Sequence, residues 1–207
     1  MEKLTSLATG ILVTLSSIAY CQENSLVDIN DIDSSIRVDI HYATTNNFTG
    51  KILTGYEANR CFLLPQTAEK LHNAQNELKE KGLSIIVYDC YRPVSATEEM
   101  VNWAKESGNE KLLGVYISSR SKHNTGNTID LAVIDVLTGK QLDLGKYDEF
   151  SEKAWTRNST SEEQKANRQM LKNILEKHGL TNYWREWWHF QDNEVDATER
   201  FNFPIKN

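Results

Sequence analysis

No uninterrupted apolar run is long enough to cross a membrane. The most apolar stretch, residues 4–20, has a hydrophobic centre only at residues 10–15 and is rich in serine and threonine. A spanning helix needs about 20 predominantly apolar residues, so none is predicted. Prolines number three, and repeats and low-complexity tracts are missing, so nothing marks an internal linker and 207 residues fit one domain. Clustered Lys and Arg are also missing and the formal net charge is −6. Neutralising phosphates takes such clusters, so nucleic acid and teichoic acids are excluded as partners. A helical His-Glu-x-x-His segment, which would place both imidazoles of a metalloprotease on one helix face, does not occur.

What is present begins with a distinct N-terminus. Lys3 followed by the uncharged stretch to Tyr20 reads as a signal peptide, residues 1–21, leaving residues 22–207 as a single catalytic domain. Cleavage after Cys21 or after Ala19 fits the small residues there. The alternative is Cys21 as a lipid-modified first residue, against which stands Tyr20. Export, with a periplasmic location, is the expectation, and no stable membrane span remains after cleavage. Loss of Cys21 leaves Cys61 and Cys90, which suits a disulfide in an oxidising compartment, two buried free thiols being the other reading.

Hydrophobic patterning predicts an alternating α+β unit. Residues 36–42 and 84–88 read as strands, with a helix between them that starts at Pro65, shows one apolar face through Ala68, Leu71, Ala74 and Leu78, and stops near Gly82. A second helix follows Pro93, with Ser95 and Glu98 spaced as a capping box, and runs to about Glu106. A third spans residues 161–177 before Gly179. Further strands are predicted at residues 114–118, 128–134 and 187–191, the short connection between the first two of these favouring antiparallel neighbours.

Four residues carry the chemistry: His123 and Asp130, in Ser-Lys-His-Asn-Thr-Gly-Asn-Thr-Ile-Asp, and Glu186 and His189, in Glu-Trp-Trp-His. Two imidazoles and a carboxylate make an open three-ligand zinc site, and the remaining carboxylate can act as general base. Gly126 lets the chain turn so that His123 and Asp130 converge. His41, His72 and His178 lack such company and read as structural; His178 sits where a helix C-terminus favours an imidazolium.

These elements, with Tyr42-Ala43-Thr44, Asn47-Phe48-Thr49-Gly50, Asp89-Cys90-Tyr91-Arg92-Pro93, Tyr147-Asp148-Glu149-Phe150 and Glu186-Trp187-Trp188-His189-Phe190 in that order, make a chain that resembles the D-alanyl-D-alanine dipeptidases of the vancomycin-resistance type, within the zinc D,D-peptidases, from Val27 to Pro204. The resemblance implies a small central antiparallel sheet flanked by helices. It implies one Zn2+ per chain on His123, Asp130 and His189, Glu186 as general base on a strand or turn, and Arg92 as stabiliser of the developing oxyanion, with an ion pair to Asp89 as the other reading of Arg92. Ser121, Asp148 and Tyr116 become candidate substrate contacts, Asp148 meeting a free ammonium; their plainer readings are a turn hydroxyl, a helix cap and strand packing. Trp187 and Trp188 would mainly pack, one of them shielding the metal.

The implied activity is hydrolysis of the small dipeptide D-Ala-D-Ala to two D-alanines, in cell-wall peptide turnover. A carboxypeptidase trimming longer stem peptides is the nearest alternative, and a non-catalytic zinc-stabilised peptide-binding module is one from another class. The oligomeric state is not encoded in any pattern found.

Overall fold

A computed structural model describes residues 25–207; the signal-peptide expectation for residues 1–21, and with it Cys21, lies outside the described residues. The chain runs β1 (Val27–Asp28), α1 (Ile29–Ile32), β2 (Arg37–Val38), β3 (Phe62–Leu63), α2 (Pro65–Lys79), β4 (Leu83–Asp89), α3 (Val94–Glu106), β5 (Thr128–Asp135), α4 (Glu162–Lys177), β6 (Thr181–Asn182) and β7 (His189–Gln191), with short 3-10 turns between. A five-stranded sheet in the order β2-β4-β5-β7-β6 forms the centre, and β1 pairs with β3 apart from it. Among the described residues no helix is long and apolar enough to cross a membrane.

The fold is the expected α+β arrangement. β4, β5, β7 and β6 are antiparallel neighbours, whereas the edge strand β2 runs parallel to β4. Helix α2 lies between β2 and β4 in the chain, and a crossover of that kind returns the strand in the same direction. Pro65 occupies the first turn of α2, where its missing N–H costs nothing, and Ala68, Leu71, Ala74 and Leu78 are completely buried. Burying a leucine such as Leu71 or Leu78 is worth about 1.5–3 kcal/mol. All seven residues of β4 are buried, as its nearly continuous apolar run requires. Helix α4 starts where Ser161 accepts a hydrogen bond from the Gln164 backbone N–H.

Three local expectations are corrected. Of residues 36–42 only Arg37–Val38 is strand, because the chain then tightens into a 3-10 turn at His41–Ala43. Residues 114–118 form a turn closed by a single bridge from Leu113 to Ile117; Gly114, at φ 73°, interrupts any extended run. The Ser95–Glu98 capping box does not form either. Helix α3 begins directly after Pro93, so Ser95 is already inside the first turn, and its N–H is bonded by the Asn202 side-chain oxygen.

Candidate metal centre and active site

Sheet register builds most of the site. Asp89 at the end of β4 pairs with Asp130 in β5, and Asp130 pairs with His189 at the start of β7, so three polar side chains stand in a row across adjacent strands. An irregularity between Val87 and Asp89 shifts the β4 register just before this row, the kind of bulge that re-aims a side chain. His123 arrives from the 3-10 turn Lys122–Thr125, capped by Ser121, whose Oγ accepts from the His123 N–H. Gly126 then turns the chain at φ 74°; a Cβ there would come within 2.6 Å of Leu26 Cδ2, so both conformation and space call for glycine.

The convergent atoms are His123 Nε2, Asp130 Oδ1 and His189 Nδ1. His123 Nε2 lies 3.3 Å from His189 Nδ1 and 3.3 Å from Asp130 Oδ1, and His189 Nδ1 lies 3.0 Å from Asp130 Oδ1. A tetrahedron with zinc–ligand bonds of about 2.0–2.1 Å has edges of about 3.3 Å, so the triangle has a size that could hold a zinc ion. The tautomer agrees. His123 Nδ1 is 2.7 Å from the Cys90 carbonyl, which only accepts, so Nδ1 carries the proton and the Nε2 lone pair faces the other two ligands. Among the described residues these three form the His/Asp/Glu/Cys group that could hold a metal ion.

Around the triangle lies a supporting shell that sequence reasoning left out. Tyr147 donates to Asp130 Oδ2 at 3.1 Å, fixing the ligand carboxylate from its other side. Asp89, fully buried, accepts from Tyr56 Oη at 2.6 Å and from Arg92 Nε and Nη2 at 2.9 and 2.6 Å, and sits 3.3 Å from His123 Nδ1. Both residues fall inside segments with a recognisable motif, but nothing local marks Tyr147 as a support for a residue 17 positions away or Asp89 for one 34 positions away. The Cys61–Cys90 disulfide forms, with Cα atoms 5.3 Å apart, and it tethers the carbonyl that holds His123.

Glu186 stands in the turn before β7, its Oε2 3.4 Å from His189 Nδ1. Burial pushes its carboxyl up to about 7, against the pull of His189. Asp130 goes the other way: burial would raise it, but the two imidazoles hold it well below the usual carboxylate range. Burial opposes protonation of His189, and its bond to Asp130 outweighs this and raises it. The two carboxyls are thus pushed apart, Asp130 held ionised and Glu186 able to carry a proton near neutrality.

The remaining predicted residues line the same cleft, of about 270 Å³, just under the usual range of ligand pockets. Arg92 is ion-paired with Asp89, the plainer of its two readings, and its Nη2 is also 4.0 Å from Asp130 Oδ2, which keeps the guanidinium on the cleft wall. Asp148 caps no helix. It takes φ 55°, accepts from Tyr42 Oη at 3.3 Å through Oδ1, and leaves Oδ2 buried without a partner; burial and then Asp130 push its carboxyl up to about 8. Ser121 is both a cap and a cleft residue, and Tyr116 lies on a turn, not a strand, accepting from Trp155 Nε1. Trp187 and Trp188 are both buried, and Trp188 borders the cleft. The other histidines sit elsewhere: His72 against Asp33, His178 against Glu77, His41 packed between Tyr88 and Tyr147.

Comparison with known proteins gives the family of the chain. A model of the D-ala-D-ala dipeptidase family, peptidase M15, matches residues 22–205. A D-alanyl-D-alanine dipeptidase of Enterococcus faecium is 31% identical over 195 residues, covering 86% of this chain and 96% of that protein. One from Enterococcus faecalis is 30% identical over 200 residues, covering 88% and 99%. Among solved structures, the LdcB LD-carboxypeptidase is a loose likeness, with TM-score 0.45, 16% identity, and coverage of 63% of this chain and 59% of that one. The matched length and the identity of the relatives together place the chain in the D-ala-D-ala dipeptidase family of peptidases.

Proposed function

We propose that the protein, as a single domain over residues 22–207, hydrolyses the free dipeptide D-alanyl-D-alanine to two D-alanines, with one zinc ion on His123, Asp130 and His189. The observation that carries this reading is the ligand triangle with 3.0–3.3 Å edges, with the Glu186 carboxylate 3.4 Å from one corner. Zinc held by His123, Asp130 and His189 would supply a Lewis acid able to polarise a carbonyl and acidify water. Glu186 takes a proton from the attacking water and returns it to the nitrogen as the peptide C–N bond breaks, a shuttle suited to a carboxyl held near neutrality. Arg92, oriented by Asp89, offers its guanidinium to the developing oxyanion. Ser121 and Tyr116 contact substrate from the cleft wall.

Asp148 favours a dipeptide over a longer stem peptide. A buried carboxylate oxygen without a partner is costly unless a cation meets it, and the free ammonium of a dipeptide is such a cation; the corresponding nitrogen in a stem peptide is an uncharged amide. The disulfide supports export to an oxidising compartment such as the periplasm, where the activity would recover D-alanine from wall turnover.

The test is D-alanine release by the zinc-loaded protein from D-Ala-D-Ala and from a stem pentapeptide, alongside Glu186→Gln. Dipeptide cleavage is expected to dominate, and Glu186→Gln to keep its zinc while turnover falls about 10²–10⁴-fold. Preference for the pentapeptide would convert the assignment to wall trimming, and full activity in Glu186→Gln would remove the assigned base.

A further inference from the structure

Helix α4 carries one arginine, and it points into the protein: Arg168 is only 3% exposed. Its guanidinium is bound by backbone carbonyls. Nε donates to the Leu144 oxygen at 2.7 Å, Nη1 to Trp155 at 2.9 Å and Nη2 to Lys153 at 3.1 Å. These carbonyls belong to two stems of one segment, Leu144 before residues 145–152 and Lys153 and Trp155 after them. Asn167, the residue before Arg168, donates to the Asp143 carbonyl at 2.9 Å, so consecutive side chains of α4 hold consecutive carbonyls of the first stem. Gly145 is fitted to the clamp as well. It takes φ 93°, and a Cβ there would come within 2.5 Å of Arg168 Nη2.

The clamped segment has little of its own to hold it. Among the described residues, the backbone N–H groups of residues 146–150 make no bond to another backbone group. Yet its side chains serve the metal end of the cleft: Tyr147 donates to Asp130 Oδ2 at 3.1 Å, Asp148 accepts from Tyr42 at φ 55°, and Phe150 lines the wall. Taking a permanent charge out of water is costly unless it is hydrogen-bonded, and a buried arginine on carbonyls is ordinarily a stability device. Here the carbonyls it holds are the two ends of the segment that brings a donor to a metal ligand.

We propose that Arg168 is a positioning residue for the metal centre: by clamping both stems of residues 145–152 to α4, it holds the Tyr147 hydroxyl on Asp130. The inference rests on the zinc site proposed above and adds a support that touches neither metal nor substrate. A rigid fork of N–H groups can bridge the two stems at once, whereas a lysine at the same position keeps the charge and loses the fork.

The experiment measures zinc affinity by chelator competition for wild type, Arg168→Lys, Tyr147→Phe and the double variant, each well below its melting temperature. Arg168→Lys is expected to weaken zinc binding about tenfold. In the Tyr147→Phe background the same change should cost less than about twofold, because the hydroxyl through which Arg168 acts is already gone. Arg168 Cζ also lies 5.8 Å from the ring of Trp187, beside Glu186 and His189, and a route through that contact would leave the two losses additive. Equal losses in both backgrounds, undiminished affinity in Tyr147→Phe, or a lower melting temperature with unchanged affinity in Arg168→Lys would overturn the positioning role while leaving the zinc site intact. If Arg168→Lys does not fold, Asn167→Ala, which frees one stem carbonyl, takes its place in the same cycle: a loss of about threefold that vanishes without the Tyr147 hydroxyl is expected, and no loss would overturn the clamp. Failure of wild type to bind zinc would overturn the metal-site reading first, and this inference with it.

Discussion

Removing the Cys61–Cys90 bond perturbs stability and the metal site together, and both effects can be sized. The bond closes a loop of sequence separation 29. By the loop-closure relation its removal releases unfolded-chain entropy worth about 3.5 kcal/mol at 25 °C. For a chain of this length each kcal/mol moves the melting temperature by about 2–4 °C, so Cys61→Ala/Cys90→Ala should melt about 7–14 °C below wild type. The second effect follows from the Cys90 carbonyl, which accepts the His123 Nδ1 proton at 2.7 Å and so sets the ring that presents Nε2 to the metal. Loosening such a support is expected to cost about 10-fold in zinc affinity. Calorimetry on the metal-free protein gives the first number and competition with a chelator the second. Both cysteine side chains are buried, so the alanines also remove packed sulfur atoms; wild type reduced in mild denaturant and returned to buffer separates that loss from the cross-link. Melting within about 2 °C of wild type in both preparations, with zinc affinity intact, would refute the reasoning.

Two further outcomes test the supporting residues. Tyr147→Phe deletes the donor to Asp130 Oδ2 while keeping the ring against His41, Tyr88 and Trp188, so zinc affinity should fall about 10–100-fold in chelator competition with little change in melting. Asp148→Asn addresses the raised carboxyl. Below about pH 4 Asp148 is protonated in folded and unfolded chains alike; between there and about pH 8 only the unfolded chain ionises, so wild-type stability falls as pH rises through that window. The asparagine variant escapes this, and its melting advantage in the substrate-free, metal-free protein should widen from pH 4 to pH 8 by up to a few kcal/mol, roughly. Parallel melting curves across that range would show that Asp148 carries no such burden.

Some of this protein was set by local sequence alone. Pro65, the spacing of Ala68, Leu71, Ala74 and Leu78, and the Ser161 cap specify α2 and α4, because helix periodicity and capping are decided within a few residues. The apolar run of β4 and the motifs around His123 and His189 likewise carry their meaning in short segments. Reading failed at Ser95, where the distant Asn202 takes the N–H in place of a capping box, and at two tight local turns, Gly114 folding back on Ile117 and the 3-10 turn that cuts the edge strand to two residues. The metal centre shows the same division. The candidate ligands come from residue type and a family resemblance, but the row Asp89–Asp130–His189 exists only because three strands lock in one register, where a slip of one residue would turn every side chain to the other face. Asp89 as the hub for Arg92 and His123, Tyr147 on the ligand carboxylate, and Asp148 buried without a partner are likewise products of packing. Each depends on which groups are brought together away from water, and tertiary structure alone fixes that.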